Sequence, residues 1–241
     1  MSAPRTFVVG DLHGCVDELN CLLDALAPTA DDTICFLGDY IDRGPSSKDV
    51  IDRLIRLRLE GPGCTFLKGN HEDMFLDFMG ERGAYGEAFL FNGGEATLLS
   101  YGLEGRDCKS VAANIPPEHL DFLRSLAMRF VQGTFLCVHA GVEPTRALDD
   151  QRDEDVLWIR DAFIANPHPF GYTVLFGHTP QREVLLDPPY KIGLDTGLVY
   201  WNKLSCLEIG EQRLYQIRRG EHAVTSRLLP QPPESVPRID P

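Results

Sequence analysis

Five short stretches of the 241-residue chain set Asp, Asn or His beside glycine: Gly10-Asp11-Leu12-His13-Gly14, Gly38-Asp39-Tyr40-Ile41-Asp42-Arg43-Gly44, Gly69-Asn70-His71-Glu72, His139-Ala140-Gly141 and Gly177-His178-Thr179. Four of the seven histidines (His13, His71, His139 and His178) lie in them. Alone, each stretch has an ordinary explanation: a helix cap, a turn, or a hydrogen-bonded histidine at a strand end. Together they offer more carboxylates and imidazoles than neutral polar chemistry needs, and a metal centre uses them all. Asp, His and Asn without thiolate suit Mn²⁺, Fe²⁺ or Zn²⁺ better than Ca²⁺, because imidazole is a poor partner for hard alkaline-earth ions. A carboxylate such as Asp39 can bridge two ions. A water shared by two cations about 3.5–4 Å apart ionises near neutral pH.

The elements that must position these groups are legible in the apolar pattern. Strand-like runs at 6–9, 33–37, 64–67, 134–138 and 173–176 are rich in β-branched and aromatic residues, and each ends in one of the five stretches. Helical periodicity follows the first two, with Val16, Leu19, Leu22, Leu23 and Leu26 in one segment and Val50, Ile51, Leu54, Ile55 and Leu57 in the other. Strand then helix, repeated, predicts an α/β core with largely parallel pairing. Strand carboxyl ends in such sheets converge on one crevice. Residues 72–127 break the rhythm and read as several helices, a cap inserted within a single domain over 1–229. Stretches at 183–186, 191–194, 204–209 and 213–217 predict a meander. The Pro-rich tail, 230–241, predicts no regular structure.

Composition narrows the function. A formal charge of −13 opposes stable binding to nucleic acid or anionic membrane, so phosphate chemistry must rely on local positive charge. No apolar run is long enough to span a bilayer, and the N-terminus lacks a signal peptide's apolar stretch, which predicts a cytoplasmic protein. The seven cysteines are scattered and never spaced as C-x-x-C, which predicts free thiols, with Cys15 beside a polar loop the one open to oxidation. His119, His168 and His222 fall in Pro-rich or surface-like contexts and carry no expected role.

The five ordered motifs resemble those of the calcineurin-like metallophosphoesterases, in particular small bacterial PPP-type serine/threonine protein phosphatases, from Asp11 to His178 and on into Gly193-Leu194-Asp195-Thr196-Gly197. The resemblance implies a central β-sandwich of two mixed sheets flanked by helices, with a helical cap insertion. It implies two divalent metal ions, Mn²⁺ expected and Fe²⁺ or Zn²⁺ alternatives. Asp11 and His13 would hold the first and Asn70, His139 and His178 the second, with Asp39 bridging. His71 would protonate the leaving alkoxide, with Asp42 orienting it. Arg43, Arg160 and Asn70 would bind the substrate phosphate, Arg160 by the likeness of Leu157-Trp158-Ile159-Arg160. A hydroxide between the metals would attack directly, without a phosphoenzyme. The implied substrate is a phosphoprotein or phosphopeptide. Alternatives are a symmetrical dinucleoside tetraphosphatase, in whose relatives the Asp42-Arg43 pair is altered, a nucleotide or nucleic-acid 5′-phosphatase, and an inactive metal-binding scaffold. Bland explanations persist for single residues: an Asp42–Arg43 salt bridge, an exposed helical Arg160 beside Asp161, and a Glu72 that meets the helix dipole or braces a ligand from behind.

Overall fold

The apolar runs of the first 80 residues form β1 (Thr6–Val9), β2 (Thr33–Phe36) and β3 (Gly63–Phe66) in a computed structural model that describes residues 3–230. The helices α1 (Val16–Leu26) and α2 (Ser47–Glu60) return the chain to the same end of the sheet after each strand. The three strands therefore pair parallel. A helical stretch follows: α3 (Asn70–Phe78), α4 (Gly94–Ser100), α5 (Cys108–Asn114) and α6 (Pro117–Arg124). α3 starts at Asn70, which sets Asn70 and His71 on its first turn.

A second sheet takes β4 (Phe130–Gln132), β5 (Phe135–Cys137), β6 (Thr173–Phe176), β7 (Leu185–Asp187) and β8 (Lys191–Gly193) in the order β4-β5-β6-β8-β7. Between β5 and β6 lie α7 (Asp153–Trp158) and α8 (Asp161–Ile164). The chain then returns to the first sheet as β9 (Lys203–Glu208), β10 (Arg213–Arg218) and β11 (Val224–Leu228), giving the order β11-β10-β9-β1-β2-β3.

Both sheets are mixed, which corrects the expectation of largely parallel pairing. Only β1-β2-β3 and β5-β6-β8 run parallel. Strands joined by short turns, β4-β5, β7-β8 and β9-β10-β11, pair antiparallel because a tight turn reverses the chain. The predicted meander is likewise divided, with β7 and β8 in one sheet and β9 and β10 in the other.

Alternation along the strands builds three apolar layers. Val8, Cys35, Leu37 and Leu67 meet Cys137, Leu175, Ile192 and Leu194 between the sheets. Phe7, Val9, Ile34 and Phe36 turn the other way, onto Leu19, Leu22, Ile51 and Leu54 of α1 and α2. Leu136, Val138, Val174 and Phe176 pack on Val156, Leu157 and Phe163 of α7 and α8. The result is two facing sheets flanked by helices.

All seven cysteines are free. Cys15 is buried and burial pushes its thiol up to about 12, so the expected susceptibility to oxidation is not met. His119 and His168 are also buried, contrary to the surface-like reading: His119 bonds Tyr101 and Asp52, and His168 stacks between Phe163 and Phe170. No helix among the described residues is long and apolar enough to cross a membrane. The predicted tail beyond Pro230 lies outside the described residues.

Candidate metal centre

Every candidate ligand, and the candidate acid pair Asp42 and His71, follows a parallel strand. Asp11 and His13 follow β1, Asp39 and Asp42 follow β2, and Asn70 and His71 follow β3. From the other sheet come His139 after β5 and His178 after β6. All eight are buried. Close convergence bends the backbone: of nine described non-glycine residues with positive φ, five are His13, Asp39, Asp42, Arg43 and His178. Such conformations cost on the order of 1–3 kcal/mol each and persist where the surroundings over-determine them. Gly177 shows how tight the packing is, since a Cβ there would overlap the Asp11 carboxylate.

Asp39 stands at the centre. Its Oδ2 lies 3.4 Å from His13 Nε2 and its Oδ1 3.4 Å from His139 Nε2. Its two oxygens therefore serve two donor groups, His13–Asp39–His71 and Asp39–His139–His178, each with ligand atoms within 4.8 Å of one another. Asn70 Oδ1 joins the second group, 3.0 Å from His139 Nε2 and 2.9 Å from His178 Nδ1. The Nδ1–H of His13 donates to the Ile41 carbonyl and that of His139 to the Leu37 carbonyl, both at 2.8 Å, which turns each Nε2 lone pair inward. His139 Nε2 thus faces Asn70 Oδ1 and Asp39 Oδ1 with no proton to share. Acceptors converge this way around a cation. His178 Nε2 is buried without a hydrogen-bond partner among the described residues. Asp11 belongs to neither group at that spacing, and its carboxylate instead accepts the His178 N–H.

The electrostatics agree. Burial pushes His13 down to about 3 and lowers His139 and His178, so the imidazoles are neutral and available as ligands. Burial would raise Asp39, but the surrounding imidazoles, His139 first, outweigh it and hold the carboxyl below its ordinary range. Burial raises Asp11 well above its usual value, with Asp195 and Asp39 adding to it.

His71 is held differently. Its Nδ1 lies 2.6 Å from Asp42 Oδ2, while Nε2 faces the centre 3.9 Å from Asp39 Oδ2. Burial lowers its pKa and the carboxylates of Asp39 and Asp42 more than reverse this, for a net rise. Asp42 is thus engaged by His71, and the alternative Asp42–Arg43 salt bridge is absent. Arg43 points Nη1 at His13 Nε2, 2.7 Å away, and lies over the Tyr200 ring. Arg160 is exposed at the junction of α7 and α8, and its charge acts on His139, His178 and Asp195. Neither arginine is paired with a carboxylate among the described residues.

Three buried side chains outside the expected ligand and catalytic set complete the site. Glu72 braces a ligand loop from behind: it accepts the N–H groups of Asp39, Tyr40, Ile41 and Gly69 and so clamps the loop that carries Asp39. Asp195 follows β8 and burial raises it to about 6, with Asp39 adding to the effect. Its Gly-flanked place after a strand is the signature of the five motifs. Thr97, from α4, donates to Asp42, and no local signal marks it.

Two mixed sheets bring the ends of their parallel strands to one buried set of Asp, His and Asn that could hold metal ions. Residues 4–209 match the family described as calcineurin-like phosphoesterase, and the chain belongs to that family, whose members are dinuclear metal-dependent enzymes. It is 35% identical over 140 residues to a symmetrical bis(5′-nucleosyl)-tetraphosphatase of Dechloromonas aromatica, covering 58% of this chain and 44% of that protein. It is 30% identical over 212 residues to serine/threonine-protein phosphatase 1 of Salmonella typhimurium, covering 85% of this chain and 92% of that one. The chain spans about half the length of several other curated relatives, 52% and 54% in two phosphatases. A crystal structure of a candidate diadenosine tetraphosphatase superposes with a TM-score of 0.69 at 24% identity, over 90% of this chain and 94% of that one, a likeness of fold.

Proposed function

We propose that this chain is a dinuclear-metal-dependent phosphomonoesterase that acts on phosphoserine and phosphothreonine in phosphoproteins or phosphopeptides. In this reading Asp11 and His13 hold one divalent cation, Asn70, His139 and His178 the other, and Asp39 both; the shared Asp39 in the His13-containing and His139–His178 groups supports it. Manganese is the expected metal. Bound there, such a pair would draw charge from the phosphoryl oxygens and bring a coordinated water's pKa toward neutrality.

The chain's own groups do the rest. Arg43 and Arg160, without carboxylate partners among the described residues, grip the peripheral phosphate oxygens with bidentate geometry, and Asn70 adds its side-chain amide. The observation that carries the monoesterase reading is the buried Asp42–His71 pair. Its bond fixes the proton on Nδ1 toward Asp42 and leaves Nε2 facing the centre. A serine or threonine alkoxide is a strong base and departs only with a proton, which His71 Nε2–H supplies while Asp42 stabilises the imidazolium.

The test compares two leaving groups. His71→Ala is expected to lower kcat for a phosphoserine peptide by roughly 10²–10⁴-fold. p-Nitrophenyl phosphate, whose phenolate leaves unaided, should lose far less. Equal losses would remove His71 from the acid role.

A symmetrical dinucleoside tetraphosphatase is the second reading. Tyr200, more than half exposed, lies over Arg43, and exposed Trp201 follows it, a rim on which a nucleobase can stack. The kcat/KM ratio of phosphopeptide to diadenosine tetraphosphate decides between them.

A further inference from the structure

We infer that Thr97 is a positioning residue for the acid: its hydroxyl fixes the Asp42 carboxylate that aims His71. The inference rests on the phosphomonoesterase reading and extends it to the helical stretch between β3 and β4.

Thr97 lies 55 positions from Asp42 in sequence, on α4, and is fully buried against it. Its Oγ1 donates to Asp42 Oδ1 at 2.6 Å and accepts the Asp42 N–H at 2.9 Å. Ser47 Oγ shares that N–H at 3.1 Å and stands 3.0 Å from Thr97 Oγ1. A hydroxyl has one proton, and the Thr97 proton is spent on Asp42, so Ser47 donates to Thr97. Both carboxylate oxygens of Asp42 are therefore assigned, Oδ1 to Thr97 and Oδ2 to His71. The side chain cannot rotate without breaking one of the two bonds. The adjoining backbone is anchored from the same segment: Arg43 N–H donates to the Gly93 carbonyl at 3.0 Å. Gly93, at φ +99°, sits so close that a Cβ would come within 2.7 Å of Arg43 Cγ.

Removing the Thr97 hydroxyl frees Oδ1 in a site without water access and lets the carboxylate turn away from Nδ1. His71 then loses both its orientation and the partner that stabilises its protonated form. This harms only substrates that need the proton. A purely structural role would harm all alike.

The experiment measures kcat and KM for a phosphoserine peptide and for p-nitrophenyl phosphate in Thr97→Val, Thr97→Ser and His71→Ala, each Mn²⁺-loaded and checked by thermal melting. Thr97→Val should lose roughly tenfold in kcat on the peptide, a fraction of the full acid contribution, and less than about twofold on the aryl ester, with KM little changed. Thr97→Ser should recover most of the peptide rate. The downfield imidazole proton of the His71–Asp42 bond should move upfield in Thr97→Val and vanish in His71→Ala. Equal losses on both substrates, or a serine variant as impaired as the valine one, overturn the inference. Should Thr97→Val fail to fold, Ser47→Ala takes its place, with the same selective loss expected at smaller size and non-selective loss counting against. If His71→Ala discriminates between the substrates and the Thr97 variants do not, only this inference fails. If His71→Ala does not discriminate, the acid reading falls with it.

Discussion

Arg43 and Arg160 approach the centre from different sides, Arg43 beside His13 and Arg160 within electrostatic reach of His139 and His178. Arg43 is the more enclosed, packed between Gly93, His13 and Tyr200, and so the more pre-organised. Arg43→Ala is expected to lower kcat/KM by roughly 10²–10³-fold. Arg43→Lys should recover only part of it, since an ammonium cannot reproduce the planar two-point contact. Arg160→Ala should cost less, because water screens an exposed guanidinium. Steady-state kinetics with one phosphopeptide ranks all three, and a lysine variant equal to wild type would speak against bidentate binding. At this scale the motif residues were legible because glycine and charge at strand ends stand out locally. Thr97, Glu72 and Asp195 were less so. Thr97 acts through a bond to a residue 55 positions away, which no local pattern encodes; Glu72 lies within the third motif, but its bonds to residues about 32 positions away decide between its two readings, and Asp195 shares the signature of the motifs.

The elements were readable wherever period and length agreed. α1 was expected and found over Val16–Leu26, and β1 and β6 match their runs. Pairing direction was less legible, because it depends on connections rather than on strand composition. β4 and β11 carry little strand signal in the sequence: β4 is three residues long, and both strands are mostly exposed edges, without an alternating apolar face. One device ties β1 to β2 at the end away from the metal centre. Asp32 accepts the backbone N–H of Arg5 at 2.8 Å and its guanidinium at 2.7 Å, together with the N–H of Thr29. The Arg5 bond holds the Asp32 carboxyl well below the usual carboxylate range. A depressed native pKa contributes stability that is present above the unfolded value, about 3.9, and lost as pH falls toward the native one. Asp32→Asn should therefore lower stability at pH 7 by about 1–3 kcal/mol. Its deficit should shrink below about pH 4, where the unfolded wild-type carboxyl protonates. Denaturant unfolding at pH 7 and pH 3 checks this; an unchanged deficit at both would deny the linkage.

At the scale of the whole molecule, a chain of formal charge −13 buries Asp11, Asp39, Glu72 and Asp195 around one centre. Burial raises Asp11 and Asp195, and lifts Glu72 to about 8 with Asp39 adding to it, although His71 and the N–H groups of Tyr40 and Gly69 oppose that rise. Uncompensated buried carboxylates destabilise a fold. Cations bound at the centre would offset them and stabilise the native state by mass action. The two sheets matter here because the candidate ligands come from both, Asp11, His13, Asp39 and Asn70 after β1, β2 and β3 of one and His139 and His178 after β5 and β6 of the other. Asp39 joins them. Metal content per chain, measured after Mn²⁺ loading and exhaustive dialysis, tests this claim most directly. Wild type should retain two ions and Asp39→Asn at most one, with a lower melting temperature. Two ions retained by Asp39→Asn, or fewer than two by wild type at saturation, would contradict a shared carboxylate at the heart of the site.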